Sequence, residues 1–270
     1  MSTEERLPIS VCIIAGAEVR RIGAALESVS GWTREIVVVI NEGVSDGTKQ
    51  LAESAGARVF LEPWKGHIAQ KNSAAQKAVE PWVLGIDADE VVSVELREEI
   101  KRLFMDRSKL EAFAAFSFPR LTRFCGRWIR HGDWYPDRGT RLWRKGLAEW
   151  GGIDPHDKLI VRGRVGKLRE RLLHHNANSL DDQISKISAY SNDFASDALR
   201  RQRPATWLDL AVRPGWRFLR SYFLRLGFLD GWQGYYIACM TAFYSLTRYA
   251  KVRIAEQAPA DQQAPTSHRP

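Results

Sequence analysis

A chain of 270 residues that is 44% hydrophobic and 27% charged can bury a full core, which excludes a fibrous or wholly disordered protein. Its three cysteines, Cys12, Cys125 and Cys239, are odd in number and widely spaced, which excludes a disulfide framework or a cysteine-built zinc site and points to a reducing cytosol. The formal charge of +8 calls for an anionic partner, and it gathers late in the chain, where Arg200, Arg201, Arg203, Arg213, Arg217, Arg220 and Arg225 share a stretch with the single acid Asp209. Met1–Leu7 is polar and the first apolar run is only a strand in length, so no export signal is expected.

In chain order, Ile9–Ile14 reads as a strand buried on both faces, and Ile22, Leu26 and Val29 then follow a helical spacing from Arg20. Glu35–Ile40 repeats the strand pattern, and Gly43–Gly47 reads as a turn whose Asp46 is placed to cap a helix through Leu51–Ser54. A short strand at Arg58–Leu61 precedes an alanine-rich helix, His67–Val79, and a fourth strand, Trp82–Ile86, that runs into Asp87-Ala88-Asp89. Ser93 opens another helix, with Leu96, Ile100 and Leu103 on one face. Residues 113–165 read as shorter strands and loops, and the interleaved aromatic and basic side chains around Trp134 and Tyr135 suit an acceptor-facing surface. Asp181–Arg201 predicts a helix, with Ile184, Ile187, Tyr190 or Ser191, and Phe194 near one face.

Beyond Pro204 the composition turns to Trp, Phe, Leu and Arg, which sets a boundary there. Trp216, Leu219, Phe223 and Leu226 recur at helical spacing among Arg217, Arg220 and Arg225, the pattern either of a helix lying in a membrane interface or of one packed on a catalytic domain. Tyr235–Leu246 is too short and too polar to span a bilayer, so the expectation is a chain lying on an anionic membrane surface. Glu256–Pro270, rich in Gln, Ala and Pro, predicts a disordered tail. The expected organisation is a catalytic domain over 1–203, with a donor half at about 8–112 and an acceptor half at about 113–203. An amphipathic, membrane-associating helical segment would follow over 204–255, and then the tail.

Strands alternating with helices imply an α/β fold with a mainly parallel sheet, whose ligands sit at the carboxyl ends of the strands. Ala15–Glu18, Asn41–Asp46 and Asp87 with Asp89 all fall at such ends. Two carboxylates one residue apart at a strand end can approach a magnesium or manganese ion and the phosphates it bridges, although Asp-x-Asp alone also describes a solvated turn.

Three segments then resemble the nucleotide-sugar domain of glycosyltransferase family 2: Pro8-Ile9-Ser10-Val11-Cys12-Ile13-Ile14, the Val44-Ser45-Asp46-Gly47-Thr48 turn and Leu84-Gly85-Ile86-Asp87-Ala88-Asp89-Glu90. Trp64-Lys65-Gly66, Ala69-Gln70-Lys71-Asn72, Cys125–Gly132, Trp134-Tyr135-Pro136-Asp137 and Arg141-Leu142 resemble its lipopolysaccharide-core glucosyltransferase branch, of the WaaE/KdtX type. With Trp216–Arg220 and Leu226–Trp232 the likeness runs over about residues 8–252. It implies a GT-A fold, inverting transfer of a hexose, glucose first, from a UDP-sugar to a lipid-linked acceptor such as the inner core, and work at the cytoplasmic face of a bacterial inner membrane.

By the same resemblance, Glu18, Asn41 and Asp46 would meet the uridine, Lys71 and Asn72 would lie near ribose or phosphate, and Asp89 would hold the metal with Asp87 assisting. Ala17 and Asn41 stand where the family usually has Asn and an acid. Asp157 of Pro155-His156-Asp157 takes the place of the branch's His-Glu pair and would be the base, with Asp137 the second choice. His156 would be a third metal ligand, an acceptor contact or a structural residue, while His174 and His175 read as structural. Arg138 and Arg141 would bind acceptor phosphates, or Arg141 would pair with a carboxylate. The competing readings are nucleotidyl transfer, a sugar-nucleotide binder without turnover, and nucleic-acid binding. The first and last lack their signatures: no Gly-rich, Lys/Arg-bearing loop follows the first strand, and the sheet region is not basic.

Overall fold

Ile9, Val11 and Ile13 belong to the core on one face of β1 (Leu7–Ala15) and Cys12 to the core on the other, so the strand is apolar on both faces except at the buried Ser10, whose hydroxyl donates to Glu35. A computed structural model of the chain describes residues 6–153, 156–175 and 180–257, without the side chains of Ile153, His156, Asp182 and Lys186. After β1 come α1 (Ile22–Val29), β2 (Thr33–Asn41), α2 (Thr48–Ser54), β3 (Arg58–Glu62), α3 (His67–Lys77) and β4 (Trp82–Gly85). β1 pairs in parallel with β2 and with β4, and β2 in parallel with β3, so the donor-half expectation of buried parallel strands holds. The expected cap of α2 is corrected: Gly47, with φ 96°, occupies the cap position, and Asp46 lies one residue before it.

The chain continues through β5 (Glu90–Val92), α4 (Val94–Met105), α5 (Arg107–Glu111), β6 (Ala115–Phe124), β7 (Arg127–Trp128) and β8 (Asp137–Arg144). Then come β9 (Ala148–Ile153), β10 (His156–Val161), β11 (Val165–Lys167) and β12 (Leu172–His174). Ser93 caps α4 as anticipated, its hydroxyl accepting from the Leu96 N–H at 3.1 Å. The main sheet runs β3-β2-β1-β4-β8-β6-β12-β5 and is parallel apart from β8 and β5, which is the mainly parallel α/β arrangement of GT-A type expected from the sequence. β6 differs from expectation. It is a buried strand of 10 residues whose length is hidden in the sequence by Pro119 and Arg120.

The described residues form two compact units. The first holds the chain up to Thr122 and again from Asp137 to the end of β12; the second holds Arg123–Pro136 and the C-terminal helices. Helices α6 (Leu180–Arg200), α7 (Trp207–Leu219) and α8 (Gly231–Gln257) make up most of the second unit, with a π-helical turn over Arg220–Leu224 and a 3-10 turn over Gly227–Asp230. Its apolar contacts are small: Ala195, Ala198, Ala205 and Val252 in one cluster, and Phe124, Ile129 and Ile237 in another. Thr206 and Asp209 form a reciprocal capping box at the start of α7. Among the described residues no helix is long and apolar enough to cross a membrane. Most of the expected tail lies outside the described residues, and its first two, Glu256 and Gln257, end α8.

Candidate active site

The carboxyl end of β4 is shaped by a residue with no side chain. A methyl group on Gly85 would stand 3.1 Å from the rings of Trp143 and Trp150, so glycine lets both indoles close over the strand end. The Trp150 ring then faces two cations, with Lys71 Nζ at 4.7 Å and the Arg141 guanidinium at 5.5 Å from its centroid. Asn72 fixes this wall by donating its amide to Trp150 O at 2.8 Å and accepting from Trp150 N at 2.8 Å, which ties α3 to β9. Lys71 is left at the head of the pocket with its side chain only 9% exposed, its ammonium 2.9 Å from Asp87 Oδ1 and 2.9 Å from Asp157 Oδ2.

Asp87 is held from a second side. Arg141 Nη2 lies 3.3 Å from Asp87 Oδ2 and 3.1 Å from Glu90 Oε1. Glu90 is wholly buried, accepts from the Asp87 N–H at 2.9 Å and takes a second guanidinium, Arg120, at 3.3 Å. Arg120 in turn binds Asp137 through Nε at 2.9 Å. Burial alone would push the Asp87 carboxyl up, but Arg141 and Lys71 overcome it and hold the group far below the usual carboxylate range. Burial likewise works against the Arg141 charge, and Glu90 and Asp87 outweigh it, raising its affinity for the proton.

Asp89 points into a different set of partners. The antiparallel pairing of β12 with β5 sets His174 opposite Glu90 and brings its Nε2 to 3.3 Å from Asp89 Oδ2. Thr122 Oγ1 lies 3.3 Å from the other ring nitrogen and orients the imidazole. Arg21 stands 3.9 Å from Asp89 and 2.8 Å from Glu18. Burial opposes the Asp89 charge, yet the His174 contact prevails and the carboxyl stays low, whereas burial pushes Glu18 up despite Arg21. Asp46 braces the neighbouring loops by accepting from Thr48 N at 3.0 Å and Val19 N at 3.1 Å, while the Glu18 N–H donates to Thr48 Oγ1 at 2.9 Å.

Asp87, Lys71, Asp157 and Arg141 thus share one network, and Asp137 joins it through Arg120 and Glu90. Asn41 ends β2 with its buried Oδ1 lacking a hydrogen-bond partner. Asn72 has its amide on Trp150, and Arg138 donates to Ser117 O at 2.9 Å and Leu168 O at 2.8 Å, so both serve backbone contacts in this structure. Trp134 and Tyr135 fall in the second unit, Trp134 edge-on to Phe124 at 5.2 Å. The side chain of His156, anticipated as a metal ligand, lies outside the described residues. Glu90, Arg120 and Arg21 were not anticipated, and His174, read from the sequence as structural, lies against Asp89. Only Glu90, directly after the Asp-x-Asp, carries any local signal.

Among the described residues no three His, Cys, Asp or Glu side chains converge as a metal-binding group. What converges is the pair Asp89 and His174, with both ion pairs of Asp89 on the same oxygen, Oδ2. Among the described residues in the ion pairs of this site, Asp89 and five further carboxylates (Glu18, Asp87, Glu90, Asp137 and Asp157) stand against four cations, Arg21, Lys71, Arg120 and Arg141. An anionic diphosphate entering such a set meets net negative charge, which a divalent cation held by Asp89 and His174 would offset.

Residues 10–169 match the model of the family described as Glycosyl transferase family 2. An uncharacterized glycosyltransferase, RP128, of Rickettsia prowazekii (strain Madrid E) is 31% identical over 260 residues, covering 91% of this chain and 86% of the relative. The lipopolysaccharide core biosynthesis glycosyltransferase LpsC of Rhizobium meliloti (strain 1021) is 29% identical over 259 residues, 92% of each chain. Among solved structures, S. aureus TarS 1-349 in complex with UDP superposes with a TM-score of 0.48 and 13% identity over 93% of this chain and 91% of that one.

Proposed function

The chain belongs to glycosyltransferase family 2 and is a glycosyltransferase, and from that premise we propose that it moves a hexose, glucose by the family likeness, from a UDP-sugar to a lipid-linked saccharide, with inversion and with a divalent cation. The observation that carries the reading is the Lys71 ammonium clamped between Asp87 and Asp157, 2.9 Å from each, at the carboxyl end of a parallel strand. A carboxylate held in place there, at the mouth of a donor site, has the chemistry of a base. The acceptor class follows LpsC, whose name places that relative in lipopolysaccharide core synthesis. The inner core grows on lipid, so we place the reaction at the cytoplasmic side of an anionic membrane.

Asp157 takes the proton of the acceptor hydroxyl while that oxygen bonds to the anomeric carbon from the face opposite the nucleotide. The carbon–phosphate oxygen bond breaks, its electron pair stays on the diphosphate, and UDP leaves. Lys71 holds the Asp157 carboxylate in place, and Arg141 with Glu90 fixes Asp87 beside it. Asp89 and His174 would hold magnesium or manganese, which supplies positive charge where the leaving diphosphate gathers negative charge. The orphan Asn41 Oδ1 is an acceptor suited to the imide N–H of uracil.

The test is product analysis with UDP-glucose, Mg2+ or Mn2+ and a lipid-linked core acceptor: UDP should be released, whereas pyrophosphate would mean nucleotidyl transfer. Asp157→Asn should lower kcat by about 10²–10⁴, the range of general-base catalysis, while UDP with metal still raises its Tm. Turnover within about tenfold of the parent, or about 1.4 kcal/mol of barrier, removes Asp157 as the base.

A further inference from the structure

In the second unit, one carboxylate sits among three guanidiniums. Asp133, its side chain 11% exposed, has Arg225 Nη1 at 3.1 Å, Arg220 Nη2 at 3.4 Å and Arg217 Nη1 at 3.7 Å. One arginine would neutralise it, so two positive charges are left over. Like charges brought together around a single acid are costly unless the surroundings impose it, and here the backbone does. The arginines lie at the end of α7 and along a π-helical turn, a form that recurs at functional sites. Leu226 follows in the left-handed region at φ 56°. The turn is locked against the Asp133 loop, since the Gly132 N–H donates to Arg225 O at 2.9 Å and the Asp133 N–H to Ser221 Oγ at 3.3 Å. Glycines make the crossing possible, for a methyl on Gly227 would stand 2.6 Å from Ser221 O and one on Gly234 1.9 Å from Gly227 O.

The same helix wears its apolar stripe outward. Leu208, Val212, Trp216, Leu219 and Phe223 follow the 4-4-3-4 spacing of a single helical face, yet each is 49–68% exposed. Arg213, Arg217 and Arg220 follow the same spacing one residue further on, about 100° around the helix from that stripe. Apolar side chains bordered by cations suit a boundary that is hydrocarbon on one side and phosphate on the other.

We propose that Arg217, Arg220 and Arg225, gathered on Asp133, form a receptor for the phosphate headgroup of an anionic lipid, which the stripe Leu208–Phe223 meets by entering the same leaflet. The surplus charge selects an anion, bidentate guanidiniums fit phosphate oxygens, and the outward stripe selects a lipid-borne phosphate over a dissolved one. The inference rests on the reading of a lipid-linked acceptor and names the part of the chain that meets the bilayer.

The test is sedimentation of the full chain with vesicles of phosphatidylcholine alone and of phosphatidylcholine mixed with phosphatidylglycerol. The parent should prefer the anionic vesicles. Arg220→Gln/Arg225→Gln should weaken that binding about thirtyfold, two cations at about 1 kcal/mol each, and Arg217→Gln, whose partner keeps two arginines, about fivefold. Leu219→Ser/Phe223→Ser should weaken binding to both vesicle types. Unchanged sedimentation of the arginine variants overturns the proposal. So does stabilisation by glycerol phosphate that these substitutions abolish while vesicle binding persists, because the cluster would then take a free phosphate ester. Stabilisation by UDP with Mn2+, read on the same preparations, should be alike in all of them; its absence in the parent would count against the transfer reaction and leave this proposal standing.

Discussion

Lys71 is the residue on which the site's geometry turns. It is nearly buried, and its ammonium lies 2.9 Å from each of two carboxylates, Asp87, proposed to face the donor, and Asp157, proposed to face the acceptor. Lys71→Met would take the ammonium from both carboxylates and leave Asp87 to Arg141. Each lost charged hydrogen bond is worth about 1.5–3 kcal/mol, so Tm should fall clearly and kcat with it. Lys71→Arg keeps the charge but not the compact ammonium geometry, and should recover Tm more than kcat. Equal melting curves for parent and Lys71→Met would show that the clamp contributes nothing. Asp89→Ala tests the neighbouring group: turnover in Mg2+ or Mn2+ should be abolished with the fold intact, and undiminished turnover would remove Asp89 as the metal-binding residue. Asp87 and Asp89 could be read from the sequence because they follow a buried strand directly. His174 could not, since it reaches Asp89 only through the pairing of β12 with β5, whose partners lie about eighty residues apart in the chain.

At the scale of elements, α3 is fastened on both sides, to β9 by Asn72 and to β3 by Glu62, which accepts from Ser73, Lys77 and Lys65. The Lys77 hydrogen bond, against a smaller burial effect and aided by Ser73 and Lys65, lowers the Glu62 carboxyl from 4.5 to about 2. A folded-state value below the unfolded one stabilises the protein at pH above 4.5 and is lost as pH falls toward 2. Glu62→Gln should therefore melt at lower temperature near neutrality and show a flatter dependence of Tm on pH between those limits. Parallel curves for variant and parent would exclude the clamp. Gly85→Ala probes the opposite wall. The added methyl would press on Trp143 and Trp150 at 3.1 Å, and Trp150 carries Lys71, so kcat should drop by more than the modest loss of Tm from overpacking suggests. The parallel strands were legible because strands buried on both faces need uniformly apolar runs. The later strands β6 and β8 were not, because arginine, threonine and proline in β6 and arginine, glycine and threonine in β8 interrupt their apolar runs, and β12 was not because it is only three residues long.

Across the whole molecule, charge is segregated. The chain carries +8, while the site itself holds more carboxylates than cations, so the excess lies elsewhere, most densely among the arginines from 200 to 225. Such a division would let one protein keep an acid-lined pocket and still approach a negatively charged surface. It also separates the two affinities by their response to salt. Exposed arginines attract a surface through solvent, where the screening length falls from about 10 Å at 0.1 M to about 3 Å at 1 M salt. Pairs around Lys71 and Asp87 are largely shielded from ions and should respond far less. Raising salt across that range should release the protein from anionic vesicles while UDP and Mn2+ continue to raise its Tm. If vesicle binding survives 1 M salt, the exposed stripe from Leu208 to Phe223 holds the protein to the membrane by itself and the arginine excess serves another partner. If donor stabilisation vanishes along with vesicle binding, the acidic pocket is more open to solvent than the burial of Lys71 and Glu90 implies.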